Sequence, residues 1–369
     1  MRVVHVLHSM AFGGAEVLVH DFLRATREEA QSAVLCLDDS GPLGQTLRDE
    51  GVRVDVLGRK GGVEPRIIKG VRDVLTDFRP DVVCAHQYAP YSYAAMALPL
   101  VFPRPGMVFV EHGRHYPDAR RPKRVLANNL VFLQYTQRVV AVCGYIKRLL
   151  VANEGIAPDR IEVIYNGVDP TRFDVTPDRD AARASLGMAS EDLAVVCVAR
   201  FHPVKDHPTL VRGFARTHRE LPRAKLYLVG GGDDGHLRAL ASELGVAERV
   251  VFTGVRRDIP EVYAAADLFA MSSLSEGTSV TLLESMLSRR ASVVTDVGGN
   301  PEIVERGLTG LLVPRGDHEA LGLAMAELLR DPSRREKMGE RGRKRVLALF
   351  TKDRMHRGWL RVLSEAARR

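Results

Sequence analysis

Short, almost wholly apolar runs alternate along this chain with longer amphipathic stretches. In the first half the runs fall at 3–7, 33–37, 52–57, 81–85, 107–110, 138–142 and 161–164. Runs without an alternating polar face predict parallel strands buried on both sides. Between them, segments such as 15–26 and 67–78 repeat apolar residues at helical spacing. Strand–helix alternation predicts a parallel sheet with helices on both faces. The pattern lapses over 166–192, a polar stretch with Pro170 and Pro177. It resumes with runs at 194–199, 225–229, 250–253, 268–270, 292–295 and 310–313. Two α/β sheets joined by one polar connection follow, and the last forty residues read as helix with a break near 350–352. Two doubly wound domains facing one another would leave a cleft between the carboxyl ends of their strands, the usual ligand site of open α/β sheets.

Composition acts mainly by exclusion. With 45% apolar and 27% charged residues over 369 positions, the chain is neither disordered, nor collagen-like, nor a disulfide-stapled miniprotein. No apolar run approaches the roughly 18 residues needed to cross a bilayer, and residues 1–7 are too short for a secretory signal. Cys36, Cys84, Cys143 and Cys197 lie far apart with no CxxC pair, so reduced, buried thiols in a cytoplasmic protein are expected. The net charge of +7 is uneven, since 330–369 holds 14 Lys and Arg against 5 Asp and Glu. A smaller cluster is Arg114, Arg120, Arg121, Lys123 and Arg124, opposed by Asp118. Both read either as solvated helix faces or as attraction to an anionic membrane surface or substrate. Nucleic acid is not an expected partner, because neither cluster interleaves aromatics or carries a reading module.

Candidate chemistry gathers at strand ends. The first strand runs into His8-Ser9-Met10-Ala11-Phe12-Gly13-Gly14-Ala15-Glu16. Gly13 and Gly14 let backbone approach a ligand and leave N–H groups at a helix start, or simply make a turn. The spacing is not GxGxxG, so a dinucleotide site is weakly supported. Glu111-His112-Gly113-Arg114 follows the fifth strand, where His112 is either a structural histidine or a contact for a sugar hydroxyl or a proton. Arg200 and Lys205 follow the first strand of the second half. They suit an anionic group, Arg forking two oxygens and Lys adding a point charge; a surface ion pair is the plainer reading.

Residues 272–284, SSLSEGTSVTLLE, are the most informative. They place Glu276 on a loop and Glu284 within the next helix, while Gly277, Thr278 and Ser279 bring N–H groups and hydroxyls to a helix N-terminus suited to phosphate oxygens. Glu284, beside Met286 and Leu287, needs a hydrogen-bonding partner such as a ribose diol. Nothing brings the two carboxylates onto one bond, so they read better as holding hydroxyls of one extended ligand than as an acid/base pair. Gly298-Gly299-Asn300-Pro301 repeats the strand–Gly–helix device, and Gly230-Gly231-Gly232 is a tight strand exit. Asp178-Arg179-Asp180 is a DxD, a metal–diphosphate pattern in some transferases, but it lies in the polar connection and no metal is expected.

In that order, these motifs resemble the family-four retaining glycosyltransferases of the GT-B fold. The resemblance spans both domains through Gly13-Gly14, Glu111-His112-Gly113, Ile164-Tyr165-Asn166-Gly167-Val168-Asp169, Arg200 with Lys205, and Glu276 to Glu284, the family's E-x7-E signature. Gly298-Gly299-Asn300-Pro301-Glu302-Ile303-Val304 then follows. The resemblance implies two Rossmann-like domains, 1–170 on the acceptor side and 171–350 on the donor side, with a helix at 351–369 crossing back onto the first. It implies a nucleotide-sugar donor, a UDP-sugar ahead of a GDP-sugar, with no metal or further cofactor. Arg200 and Lys205 would hold its diphosphate, Glu284 its ribose, and Glu276 hydroxyls of the sugar with Gly277, Thr278 and Ser279 nearby. His112 would contact the same sugar, and Gly13, Gly14 and Gly230 would approach the donor or acceptor.

His112, Arg200, Lys205 and Glu276 are thus the expected catalytic set. The acceptor would be a glycan or lipid-linked glycan, in surface polysaccharide or glycoconjugate synthesis on the inner face of the cytoplasmic membrane. Retention by front-face displacement fits a chain with no evident covalent nucleophile. A nucleotide-sugar 2-epimerase-like enzyme and a non-catalytic sugar-nucleotide-binding scaffold are the alternatives. The chain departs from the family at Arg289 and Ala291, where Gly and Pro are usual, and in lacking a proline after Gly232.

Overall fold

The computed structural model describes residues 1–369 except 12, 114–117, 175–176 and 369, so Phe12 and Arg114 lie outside the described residues. The chain forms two compact units, Met1–Tyr165 with Arg354–Arg369, and Asn166–Asp353. The first holds β1 (Arg2–Ser9), β2 (Gln31–Asp39), β3 (Arg53–Val56), β4 (Val82–His86), β5 (Gly106–Glu111), β6 (Arg138–Ala141) and β7 (Ile161–Val163). They make one sheet in the order β3-β2-β1-β4-β5-β6-β7. The second holds β8 (Leu193–Val198), β9 (Ala224–Val229), β10 (Val250–Gly254), β11 (Leu268–Met271), β12 (Ser292–Thr295) and β13 (Gly310–Val313), in the order β10-β9-β8-β11-β12-β13. Every strand pairing is parallel. Each run of the sequence became a strand; the central strands are apolar throughout because helices cover both their faces, whereas the edge strand β3, Arg-Val-Asp-Val, alternates and is largely exposed.

Alternation along β1 shows the two faces. Val4 and Val6 pack with Ile67, Val71 and Leu75 of the helix Pro65–Phe78. Val3 and Leu7 pack on the other side with Leu18 and Phe22 of the helix Gly14–Ala25 and with Trp359, Val362 and Leu363 of the C-terminal helix. That helix, Lys352–Ala367, returns to the first sheet, and Gly106 is required where its Ala366 carbonyl crosses β5 within contact distance of any added Cβ.

The Tyr165-Asn166-Gly167-Val168 segment belongs from Asn166 onward to the second unit. Val168 N–H donates to the Phe350 carbonyl at 2.9 Å, and Lys352 N–H donates back to Val168 at 2.9 Å. Arg289, where the family usually has Gly, adopts the left-handed region at φ 56°. Its guanidinium reaches Glu340 at 2.6 Å.

The basic C-terminal stretch proves partly structural. Arg343 donates to the carbonyls of Leu287 (2.5 Å) and Phe173 (3.3 Å), Arg345 to those of Ile303 (2.8 Å) and Glu302 (2.9 Å), and Arg335 to those of Leu328 and Leu329 (both 2.7 Å). A guanidinium offers five donors, so one side chain can tie carbonyls in the last turns of two helices. All four cysteines are buried and free. Among the described residues no helix is long and apolar enough to cross a membrane.

Candidate active site

In the second unit, the loops leaving β8, β11 and β12 are stitched together at the carboxyl ends of neighbouring strands. Leu274 N–H donates to the Val204 carbonyl (2.8 Å), and Ser272 Oγ donates to the Asp206 carbonyl (2.7 Å). Thr295 Oγ1 donates to the Ser273 carbonyl (2.7 Å), and Asn300 Nδ2 to the Thr295 carbonyl (2.9 Å). The result is a cation–carboxylate pair with Lys205 Nζ 2.6 Å from Glu276 Oε1. Ser273 Oγ donates to the same oxygen at 2.6 Å. The Glu276 side chain is only 9% exposed, so a charge-assisted pair there is stronger than one in open solvent.

Two glycine turns hold this arrangement from behind. Gly298 has φ +58°, and a Cβ on it would lie 2.7 Å from Glu276 N and 2.8 Å from Glu276 C. Gly299 N–H donates to the Glu276 carbonyl at 3.2 Å. This second Gly pair is therefore a seat for the Glu276 backbone. Gly230 plays the same part for Arg200, since an added Cβ would clash with the Ala199 carbonyl, and Phe201 N–H donates to Gly231 O at 2.8 Å. Arg200 itself is exposed, and its side chain forms no ion pair or hydrogen bond among the described residues.

The helix Val280–Leu287 begins beside Glu276. Its N-cap, Ser279, makes no side-chain capping bond; the hydroxyl turns to Met271 Sδ (3.8 Å) and Thr281 Oγ1 (3.5 Å) instead. N–H groups of the first turn thus lack a side-chain cap, a polarity that suits an anion. Thr278 is buried, with its carbonyl held by Asn166 Nδ2 at 3.2 Å, and Gly277 is partly buried between them. Glu284, within the helix, is 12% exposed, with Arg172 Nη1 3.7 Å away. Burial outweighs that cation and pushes its carboxyl up to about 7. Nothing in the local pattern marks Arg172, which lies 112 positions earlier in the polar connection. Ser273 stood inside the informative stretch but carried no separate signal.

In the first unit, Gly13 is the extended N-cap of the helix Gly14–Ala25, again with no side-chain cap, and Gly14 faces open space. His112 sits just past the carboxyl end of β5, and its Nε2 lies 2.9 Å from His86 Nδ1. The donor atoms of His5, Cys84 and His86 lie within 4.8 Å of one another, all buried. Burial pushes the Cys84 thiol up and so opposes the thiolate a metal would need. Of the DxD, Asp178 is engaged as the N-cap of the helix Arg179–Ser185, accepting from Ala181 N–H at 2.9 Å.

Comparison with known proteins extends this picture. Residues 12–172 match the family model Glycosyltransferase Family 4, and residues 178–345 match Glycosyl transferases group 1. A D-inositol 3-phosphate glycosyltransferase of Nocardia farcinica is 38% identical over 234 residues, 61% of this chain and 52% of that protein. A GDP-mannose-dependent alpha-(1-6)-phosphatidylinositol monomannoside mannosyltransferase of Mycolicibacterium smegmatis is 37% identical over 194 residues, 50% of each chain. The chain therefore spans about half the length of these relatives. A glycosyltransferase from Rickettsia africae superposes with TM-score 0.86 at 19% identity, covering 100% of this chain and 98% of that one. An Anabaena protein in complex with UDP and glucose gives 0.82 at 24% identity, covering 99% of both chains. Each half of the chain answers to its own family model and each unit carries the parallel sheet of these folds: the chain belongs to the family-four glycosyltransferases of the GT-B fold.

Proposed function

We propose that the protein transfers a sugar from a nucleoside-diphosphate sugar to a glycan or lipid-linked acceptor, with retention of configuration and without a metal ion. The carrying observation is the Lys205–Glu276 pair at 2.6 Å with the uncommitted Arg200 on the same loop. As the glycosidic bond breaks, the nucleoside diphosphate leaves with the electron pair. Arg200, Lys205 and the uncapped helix N-terminus stabilise the charge that develops on its phosphate oxygens. Glu276 accepts hydrogen bonds from hydroxyls of the transferred sugar, and Glu284 from the ribose diol. The acceptor oxygen attacks from the face the diphosphate leaves, and its proton passes to a phosphate oxygen of the leaving group. Two relatives named for inositol phosphate and phosphatidylinositol mannoside chemistry support a polar or lipid-linked acceptor. A UDP-sugar is the first donor to test, ahead of a GDP-sugar.

The segment around the helix Pro122–Ala127 favours a peripheral site on an anionic membrane surface, for it exposes Leu126 and Leu130 beside Arg120, Arg121 and Lys123. Binding to anionic vesicles should weaken as salt rises; salt-independent binding contradicts the electrostatic mode. Arg200→Ala tests the chemistry. Turnover at saturating donor should fall by about 100-fold, the scale of losing one preorganised charge donor, and unchanged turnover would sink the proposal.

A further inference from the structure

At the amino edge of the second sheet, opposite the loops that hold Glu276, lies a hollow of about 280 Å³. Asp267, just before β11, lines it with Arg289 and Arg290, which lead into β12. The helix Pro332–Leu349 forms the other wall through Arg335, Glu336 and Glu340. That helix sits close because its Gly339 meets the Arg289 carbonyl, where an added Cβ would clash. Guanidiniums gather here because the helix Ile259–Ala265 ends beside the hollow, and its last carbonyls carry the partial negative charge of a helix C-terminus. Arg179 donates to Ala264 O (3.1 Å) and Ala266 O (3.0 Å), Arg183 to Ala265 O (3.1 Å) and Arg290 to Ala266 O (2.8 Å).

Capping uses only part of each side chain. Arg290 commits Nη1 to Ala266 and Nε to Ser288 O (2.9 Å), and Arg335 commits Nη1 to the carbonyls of Leu328 and Leu329. Arg290 Nη2 and Arg335 Nε make no hydrogen bond among the described residues, and neither is shut from solvent. Counter-charge is short as well. Asp267 Oδ1 accepts from Arg179 Nη2 and Oδ2 from Ala194 N–H, both at 2.8 Å. Arg183 and Arg335 approach the same carboxylate at 3.5 Å and 3.8 Å, and Glu340 is taken by Arg289. Arg290 forms no ion pair among the described residues, although a partly buried charge is ordinarily paired. Burial first, then the nearby Arg179, pushes its guanidinium down to about 10 despite Asp267.

Two guanidiniums with uncommitted donors on facing walls suit a tetrahedral oxyanion. Glu336 also lines the hollow, exposed and without an ion pair among the described residues. A carboxylate there repels a second anionic group but accepts from hydroxyls. The volume lies below that of drug-sized pockets, so the ligand is small. We propose that this hollow is an anion site, apart from the donor site, for a small phosphate monoester bearing hydroxyls. Its phosphate rests on Arg290 and Arg335, and a hydroxyl donates to Glu336. The helix Val280–Leu287 starts beside Glu276 and ends at Ser288, two residues before Arg290, so one helix joins the two places.

The test is calorimetric titration of the full chain with glycerol 3-phosphate and, separately, with inorganic phosphate. Both should bind, the ester more tightly, and Arg200→Ala should retain both. Arg290→Gln keeps a donor for Ala266 but loses the charge, and it should weaken both by about tenfold, the scale of one charge-assisted hydrogen bond. Glu336→Gln changes an exposed side chain and should bring the two affinities together. Absence of binding at millimolar concentration, binding lost in Arg200→Ala, unchanged affinity in folded Arg290→Gln, or an unaltered preference for the ester in Glu336→Gln would each overturn the proposal. Because Arg200→Ala removes a cation of the donor site, the result stands whether or not the transferase reading does.

Discussion

Gly298→Ala isolates the geometry on which the donor site depends. The residue sits at φ +58°, where an L side chain costs about 1 kcal/mol. Strain alone would lower stability without touching the site. The added Cβ, however, would lie 2.7 Å from Glu276 N and 2.8 Å from Glu276 C, both backbone atoms that cannot rotate away. Relief requires the Glu276 backbone to move by roughly 1 Å, and a displacement of that size at a reacting site costs on the order of 100-fold in rate. Gly307→Ala is the matched control. It has φ +76° with nothing within 4 Å of an added Cβ, so it carries the strain without the displacement. Gly307→Ala should lose about 1 kcal/mol of stability in denaturant titration, Gly298→Ala about 1–3 kcal/mol more for the clash, and only Gly298→Ala should lose about 100-fold in kcat/KM for the donor. Equal kcat/KM for the two folded variants would refute the idea that Gly298 seats Glu276.

Other outcomes follow from the same contacts. Trp359→Ala removes a buried indole 5.1 Å from the Phe22 ring and should cost about 3–5 kcal/mol, read by equilibrium unfolding; a loss under about 1 kcal/mol would mean the C-terminal helix does not hold the first sheet. Glu284 should govern the pH dependence of donor binding. Its folded-state value, raised to about 7, means that protons leave it as pH rises through 7, and only the ionised form accepts from both ribose hydroxyls. Donor affinity should therefore climb from pH 6 to 8 and become flat in Glu284→Gln; an equally steep rise in that variant would remove Glu284 from the ribose site.

The sheets were legible in the sequence because both faces of their central strands are covered, so each of those strands announces itself as an apolar run. The Glu276–Glu284 spacing was legible for a similar reason, lying within one loop and one helix. What lay beyond reach depended on which strands become neighbours. Lys205 meets Glu276 only because β8 lies beside β11 in the sheet, and no local pattern encodes that adjacency. The same holds for the His5–His86–His112 series, which exists through the registers of three strands. Glycines were legible as turns but not as seats, since what Gly298 and Gly230 approach is backbone from another strand's loop. Charge was legible only as a total, because nothing local shows that Arg335, Arg343 and Arg345 of the basic stretch after 330 are engaged by carbonyls of other helices.

Calorimetric titration with UDP, GDP and ADP, each with and without EDTA, on the wild-type chain and Arg200→Ala, tests the central claim most directly. The account predicts micromolar binding of one nucleoside diphosphate, with UDP the first to try, indifferent to EDTA and weakened at least about tenfold by the substitution, the scale of a lost charge-assisted hydrogen bond. Binding that requires a divalent ion, or that Arg200→Ala leaves unchanged, would contradict it.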